Sequence, residues 1–143
     1  MIDIQSDSRK IKQGDTFIAL RGISSDGHDY IYKAIENGAT KIIAEEGNYP
    51  VETIIVPDTR IYLNEYLAGH YNSKISEMNI IAITGTNGKT TTAKLIHDSL
   101  NMLGSKTAYI GTIGFYMGEK VCSLPNTTVD ICDTYDLLMK AYD

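Results

Sequence analysis

The sequence predicts an α/β protein made of two parts, and three observations support this prediction. First, the segments "TKIIAE" and "ETIIVP" are rich in β-branched residues and have the length of short strands. Second, "RIYLNEYLAGHYN" carries its apolar residues at helical spacing. Third, strands and helices alternate until a polar stretch, 72–78, interrupts the pattern. We therefore predict a small N-terminal α/β domain over 1–77 and a second domain over 78–143.

The first part contains three predicted strands and two predicted helices. The strands are "DTFIAL", "TKIIAE" and "ETIIVP", and Pro57 ends the last of them. The segment "HDYIYKAIENG" predicts a helix that ends at Gly38. The second helix, "RIYLNEYLAGHYN", carries Leu63, Leu67 and Tyr71 along one stripe.

The second part restarts the alternation. Residues Ile80–Ile83 form a predicted strand, and after a loop a helix runs from Lys89 to Leu103, where Gly104 ends it. The next predicted strand is "KTAYIG", so the order strand, helix, strand predicts a parallel pair. The segment "DTYDLLMKAYD" predicts a final helix with no stop signal before Asp143. We therefore expect the sequence to be a fragment of a longer chain.

Composition limits the classes of function. The 143 residues are 43% hydrophobic and 22% charged, which is typical of a globular protein. The net charge is -5 and no Lys- or Arg-rich run occurs, so we expect no nucleic-acid partner. Cys122 and Cys132 fit no zinc or disulfide pattern, which favours a reducing compartment. Without a signal peptide or a bilayer-length apolar run, we expect a cytoplasmic protein with no membrane partner. We also expect a monomer, although no sequence pattern indicates the oligomeric state.

The segment "ITGTNGKTTT" joins a predicted strand to a predicted helix and has the residues of a phosphate-binding loop. Gly85 and Gly88 allow the backbone to turn so that successive N–H groups point inward. The helix N-terminus adds partial positive charge, and Lys89 can reach the β- and γ-phosphates of a nucleotide. Thr90 can offer its hydroxyl to Mg²⁺. The pattern therefore predicts a nucleotide site.

The loop departs from the usual P-loop spacing. Ile83 stands where that pattern has its first glycine, and the early glycine is Gly85 instead. A surface loop with a chance lysine is the alternative interpretation. Since ATPases, kinases, GTPases and ligases all use such loops, the loop alone does not select an activity.

Three segments resemble the Mur ligase family. "ITGTNGKTTT" is similar to the family's ATP loop, in which Thr-Gly-Thr-Asn-Gly-Lys-Thr replaces the usual spacing. "SDSRKIKQGDTFIALRG" with "DGHDYI" resembles the N-terminal domain of members that take UDP-N-acetylmuramoyl peptides. "YIGTIGF" with "NTTVD" resembles members that act on UDP-N-acetylmuramoyl-L-alanyl-D-glutamate. The resemblance implies a UDP-substrate-binding domain followed by the first part of a P-loop-type ATP-binding domain with a parallel sheet.

The activity that the resemblance implies is ATP-dependent amide-bond formation in peptidoglycan precursor synthesis. The implied partners are UDP-N-acetylmuramoyl dipeptide and a free amino acid, with ATP and Mg²⁺ as cofactors. Lys89 would be catalytic and Thr90 would contact the metal. The implied ATP-binding residues are Gly85, Thr86, Asn87, Gly88, Lys89, Thr90 and Thr91.

The resemblance also implies substrate contacts in three short segments. Ser6, Ser8 and Ser24 would lie at the uridine-diphosphate end of the substrate. The muramoyl-peptide portion would contact Asn126, Thr127 and Thr128. Taken alone, Asp-Ser-Arg and Asn-Thr-Thr are also ordinary turn sequences, so a structural role is the alternative. His28, directly after Ser-Asp-Gly, is interpreted as a residue at a helix start and not as a site residue.

The chain departs from the family pattern in two respects. Val129 stands where members commonly have proline after Asn-Thr-Thr. The family's later glutamate, its carbamoylated lysine and its amine-binding domain have no counterpart before Asp143. We therefore expect the isolated chain to be inactive, and the sequence does not predict which amino acid is added. Two alternatives remain: another Mur-like step, including a folylpolyglutamate-type synthetase, and a non-catalytic UDP-sugar-peptide or nucleotide-binding module.

Overall fold

A computed structural model describes residues 2–22, 25–124 and 129–143. The chain divides into two compact units, Met1–Asn72 and Ser73–Asp143. The division falls within helix α2, which spans Thr59–Ile75. The domain boundary that we place after residue 77 remains a prediction.

The first unit contains a four-stranded sheet in which every neighbouring pair is parallel, in the order β1-β2-β3-β4. The strands are β1 (Ile4–Gln5), β2 (Thr16–Ile18), β3 (Lys41–Ala44) and β4 (Glu52–Ile55). Strands β2 to β4 confirm the three predicted strands. The predictions omit β1, because a strand of two residues shows no periodicity.

Helices connect these strands. Two 3₁₀ turns, Ser8–Lys10 and Gly27–Tyr30, accompany α1 (Ile31–Glu36) and α2. The predicted helix "HDYIYKAIENG" is therefore a 3₁₀ turn that continues into α1. As predicted, Gly38 ends this segment: its φ is 111° and its N–H donates to the Ile35 carbonyl at 3.0 Å.

Apolar side chains from the sheet and both helices form the core of the first unit. The predicted stripe of α2 contributes Leu63 and Leu67, which are 1% and 0% exposed. The other fully buried side chains include Phe17, Ile18, Ile31, Ile42 and Ile43. Burial of these side chains supplies most of the driving force that holds the helices on the sheet.

The second unit contains two helices and an antiparallel sheet of order β5-β6-β7. Its elements are α3 (Lys89–Met102), β5 (Ala108–Gly111), β6 (Gly114–Met117), β7 (Glu119–Cys122) and α4 (Ile131–Tyr142). Both predicted helices are confirmed, and Gly104, with φ of 85°, follows α3 as expected. Asp130 caps α4 by accepting the Cys132 N–H at 2.9 Å. No helix in the described part of the chain is long and apolar enough to cross a membrane.

The mixed α/β class is confirmed, but two details predicted for the second unit are wrong. Residues 80–83 do not form a strand, and β5 pairs with β6 in an antiparallel hairpin, not with a parallel partner. Gly111 and Gly114 flank the two-residue turn of this hairpin. Parallel strands are stable when both faces are covered, whereas Ile80 and Ile81 are 57% and 61% exposed. Among the described residues no neighbouring strand pairs with 80–83, and its apolar composition alone is not enough to make it a strand.

Candidate functional site

The loop before α3 depends on two glycines. Gly85 has a φ of 146° and Gly88 a φ of 77°, which residues with a Cβ rarely adopt. A Cβ on Gly85 would meet only the Asn87 carbonyl, at 3.7 Å, and one on Gly88 only the Thr92 hydroxyl, at 3.9 Å. Because neither position is crowded, the backbone angles are what require glycine. The two glycines turn the chain directly into the helix.

The N-terminus of α3 presents unpaired backbone donors. Gly88 is the capping residue and provides no side-chain cap. The first intrahelical bond runs from the Thr92 N–H to the Gly88 carbonyl at 2.9 Å. Within the described residues, the N–H groups of Lys89, Thr90 and Thr91 have no acceptor. These donors and the positive end of the helix dipole can bind an anion.

Lys89 lies across the loop. Its Nζ donates to the Gly85 carbonyl at 2.6 Å and approaches the Thr86 carbonyl at 3.4 Å. Lys89 is exposed, so its ammonium can exchange these carbonyls for a stronger acceptor such as a phosphate oxygen. The structure thus places four of the seven predicted ATP-loop residues in the loop before α3 and the other three in the first turn of the helix. Their contact with a nucleotide remains a prediction.

A polar cluster around the buried His97 holds α3 against the β5–β6 hairpin. His97 is 3% exposed, its Nδ1 lies 2.8 Å from Asp98 Oδ1, and the edges of Tyr109 and Tyr116 meet its ring. Lys94 pairs with Asp98 and lies 4.7 Å above the Tyr116 ring. Hydrogen bonds from Lys94, and then from His97, lower the pKa of the Asp98 carboxyl. This cluster fixes the helix that carries the loop, and no sequence pattern indicated it.

The carboxyl edge of the parallel sheet gathers the other predicted site residues. Because all four strands are parallel, the segments that follow them meet at one edge. Ser6 and Ser8 follow β1, and the turn 21–26 follows the adjacent strand β2. Open α/β sheets bind ligands at this edge. The structure therefore places Ser6, Ser8 and the two described ends of the turn that contains Ser24 at the same edge.

The Asp-Ser-Arg segment is a folded turn. Asp7 accepts the Arg9 N–H at 3.0 Å, and its two oxygens accept the Arg9 guanidinium at 2.9 and 2.7 Å. These bonds to Arg9 lower the pKa of the Asp7 carboxyl. Ser8 is 6% exposed, and its carbonyl accepts the Asn37 side-chain amide at 2.8 Å. These bonds agree with the alternative that Asp-Ser-Arg forms an ordinary structural turn. Only a small part of Ser8 is exposed to solvent.

The turn after β2 is closed by backbone bonds. Arg21 and Asp26 form an antiparallel bridge, and the Gly22 N–H donates to the Ser25 carbonyl at 2.9 Å. Gly27 follows, and its backbone passes so close to Leu20 that a Cβ would lie 2.6 Å from the Leu20 nitrogen. Ser24 lies outside the described residues, as do Asn126, Thr127 and Thr128. The structure therefore does not test the substrate contacts expected of these four residues.

His28 contributes to this edge in a way that the sequence did not indicate. It stands at a helix start, as interpreted, within the 3₁₀ turn Gly27–Tyr30. However, its side chain is only 11% exposed and its ring bonds to Asp26 and to the backbone of Glu45. The hydrogen bonds from His28 lower the pKa of the Asp26 carboxyl. Because Glu45 lies 17 positions away, no local pattern could have revealed this contact.

The described residues give little support for a metal site built from their own side chains. They contain no group of three or more His, Cys, Asp or Glu side chains placed to hold an ion. A magnesium ion bound with a nucleotide is still compatible with the loop, because it takes most of its ligands from phosphates and water. Thr90, half-buried in the first turn of α3, is the hydroxyl available for it.

Comparison with known proteins extends the resemblance to sequence relatives. The chain is 41% identical over 128 residues to UDP-N-acetylmuramoyl-L-alanyl-D-glutamate--2,6-diaminopimelate ligase of Syntrophomonas wolfei, covering 87% of this chain and 26% of that protein. It is 37% identical over 144 residues to the ligase of the same name from Clostridium perfringens, covering 99% and 30%. The chain thus spans less than a third of the length of these relatives.

Solved structures show the same likeness. A structure named UDP-N-acetylmuramoyl-L-alanyl-D-glutamate--2,6-diaminopimelate ligase matches with a TM-score of 0.67 and 28% identity, covering 97% of this chain and 29% of that one. The MurF ligase of Thermotoga maritima, solved in complex with ADP, matches with a TM-score of 0.55 and 29% identity, covering 73% and 24%.

Two family profiles together match almost the whole sequence. The profile "Mur ligase family, catalytic domain" matches residues 3–88, and "Mur ligase middle domain" matches residues 83–143. The first profile alone matches more than half of the 143 residues. Together with the loop geometry and the relatives, this match shows that the chain belongs to the Mur ligase family.

Proposed function

We propose that the chain is the N-terminal portion of an ATP-dependent ligase that adds an amino acid to UDP-N-acetylmuramoyl-L-alanyl-D-glutamate in peptidoglycan precursor synthesis. The observation that carries this proposal is the uncapped N-terminus of α3 with Lys89 across its loop. Its relatives are named for the addition of 2,6-diaminopimelate, which is the amino acid we propose. The free cysteines Cys122 and Cys132 agree with the reducing cytoplasm that we propose as its location.

The proposed chemistry must bring two anions together, a triphosphate and a substrate carboxylate. The N–H groups of Lys89, Thr90 and Thr91 would bind phosphate oxygens at the positive end of α3. The Lys89 ammonium would leave the Gly85 carbonyl and offset the negative charge of the phosphates. When bound, ATP with Mg²⁺ supplies the phosphoryl group that activates the carboxylate for amide formation. Thr90 would offer its hydroxyl to the metal.

The proposed site for the substrate's uridine-diphosphate end is the carboxyl edge of the parallel sheet. Ser6, Ser8 and Ser24 would contact this end, and Asn126, Thr127 and Thr128 the muramoyl-peptide portion. Two exposed guanidinium groups at the same edge favour a diphosphate: Arg9, whose side chain is 86% exposed, and Arg60. Arg60 has no carboxylate partner among the described residues, so its charge is available to a ligand.

Calorimetric titration of the chain with ATP and Mg²⁺ tests the nucleotide site. We expect Lys89→Met to weaken ATP binding by about ten- to a hundredfold, because it removes a charge-assisted bond to phosphate. Lys106→Met, at an exposed position in the same unit, is the matched control and should leave ATP affinity unchanged. Equal affinities of both variants and the unchanged chain would contradict the proposed role of the loop.

The second titration uses UDP-N-acetylmuramoyl-L-alanyl-D-glutamate. We expect the chain to bind this compound and to bind UDP alone more weakly, because the muramoyl-peptide contacts add to those of the uridine end. A folded sample that binds ATP but not the UDP compound would support a general nucleotide-binding protein instead.

A further inference from the structure

His28 joins the turn after β2 to the end of β3. Its Nδ1 lies 2.6 Å from Asp26 Oδ1, an oxygen that also accepts the His28 backbone N–H at 2.9 Å. Its Nε2 accepts the Glu45 backbone N–H at 3.0 Å. Since a carboxylate accepts and a backbone N–H donates, only the neutral ring with its proton on Nδ1 satisfies both partners. His28 therefore links the two segments by donating a hydrogen bond to Asp26 and accepting one from the backbone of Glu45.

Glu45 extends this bridge to helix α2. One carboxylate oxygen, Oε1, accepts from the Thr59 N–H at 3.2 Å and lies 3.1 Å from the Thr59 hydroxyl. Thr59 is 1% exposed and is the first residue of α2. The other oxygen, Oε2, lies 3.2 Å from Nε of Arg21, where the turn begins. The end of β3, the start of α2 and the turn are thus connected through one residue.

Both described ends of the turn are held by these contacts. Arg21 bonds to Glu45, and its carbonyl accepts the Arg60 guanidinium at 2.8 Å. Asp26 is held by His28 through the backbone and the ring, and its other oxygen lies 3.5 Å from Arg21 Nε. The ring of His28 joins Asp26 directly to the backbone at the end of β3.

We propose that His28 is a positioning residue for the uridine-diphosphate end of the substrate. This inference rests on the proposed function, because it assigns the carboxyl edge of the sheet to that ligand. His28 touches no ligand in this role: it holds Asp26, one described end of the turn, against the end of β3 before binding. Residues that are already held in place lose less conformational freedom on binding, so the ligand binds more tightly.

The test is calorimetric titration of the 143-residue chain with UDP-N-acetylmuramoyl-L-alanyl-D-glutamate. We expect His28→Ala to weaken binding about tenfold, because it leaves the Glu45 N–H without its acceptor and removes the bond from the ring to Asp26. In His28→Gln the amide oxygen can replace Nε2 as acceptor, so most of the affinity should return. His70→Ala removes an exposed imidazole from the same unit and should change the affinity by less than about twofold.

ATP affinity and the thermal unfolding midpoint, measured on the same samples, separate positioning from a merely structural role. Weaker binding of the UDP compound with unchanged ATP affinity and recovery in His28→Gln would support the proposal. A lower unfolding midpoint with unchanged affinity for the UDP compound would overturn it. If His28→Ala does not fold, Asp26→Ala removes the other partner of the ring, and unaltered affinity in that variant would equally overturn it. If the unchanged chain binds ATP but not the UDP compound, the proposed substrate site itself is wrong.

Discussion

At the residue scale, the ATP loop depends on a backbone conformation that only glycine adopts easily. Gly88 has a φ of 77° with open space around it, so Gly88→Ala should destabilise the second unit by about 1–2 kcal/mol through backbone strain alone. Gly69 lies inside α2 with nothing within 4 Å of an added Cβ and has no positive φ. Gly69→Ala should therefore stabilise its helix by about 0.5–1 kcal/mol. Urea unfolding measures both changes, and a common sign would contradict this interpretation.

The Asp7 carboxyl provides a pH-dependent contribution to stability. Its pKa is lowered from the model-peptide value of 3.8, chiefly by the hydrogen bond from Arg9. A carboxyl whose pKa is lower in the folded state stabilises the fold above its unfolded pKa, and this contribution disappears as the pH falls through the folded value. We expect the NMR titration midpoint of Asp7 to lie below 3.8 and Arg9→Ala to raise it. An unchanged midpoint in Arg9→Ala would show that a group other than Arg9 lowers the pKa of the Asp7 carboxyl.

The sequence predicts site residues that are contiguous better than it predicts contacts between residues that are far apart in the chain. Gly85 to Thr91 are contiguous, so strand-like residues before them and a helix after them were enough to predict their arrangement. The carboxyl edge was predictable only through resemblance, since Ser8 and Arg21 lie at the same edge because β1 and β2 pair in parallel. The bond from Glu45 to His28 spans 17 positions and depends on how the sheet and the 3₁₀ turn pack. No periodicity or motif encodes such a contact.

At the element scale, the segment 80–83 shows what composition alone leaves undetermined. It has the β-branched residues of a strand, but a strand also needs a partner for its N–H and C=O groups. In the described residues the backbone of 80–83 has none. We expect its amides to exchange with solvent almost as fast as in an unfolded peptide, whereas those of 42–44, inside β3, should be strongly protected. Hydrogen exchange followed by NMR measures this, and protection of 80–83 would mean that the segment is paired.

The elements predicted correctly share one property, a long or regular apolar pattern. Helix α2 places Leu63 and Leu67 four positions apart, and both are buried. Strands β3 and β4 each contain consecutive β-branched residues, and β3, which lies between β2 and β4, is buried at residues 42–44. The β5–β6 hairpin was overlooked because "GTIG" was interpreted only as a family motif. Its two glycines are also a turn signal, and Gly114 has a φ of 131°.

At the scale of the whole molecule, the chain contains the proposed binding residues for two ligands and spans less than a third of the length of its relatives. Amide formation needs an amine held in line with the activated carboxylate, and such positioning accounts for a large part of catalysis. Within the described residues there is no group of three or more His, Cys, Asp or Glu side chains placed to hold an ion, and the relatives are more than three times as long.

We therefore expect the 143-residue chain to bind ATP and the UDP compound without turning over ATP. Phosphate release should stay at the background rate when UDP-N-acetylmuramoyl-L-alanyl-D-glutamate, diaminopimelate and Mg²⁺ are all present. The Clostridium perfringens ligase, assayed in parallel, is the positive control. Substrate-dependent phosphate release would contradict this expectation and show that the chain already holds the catalytic residues.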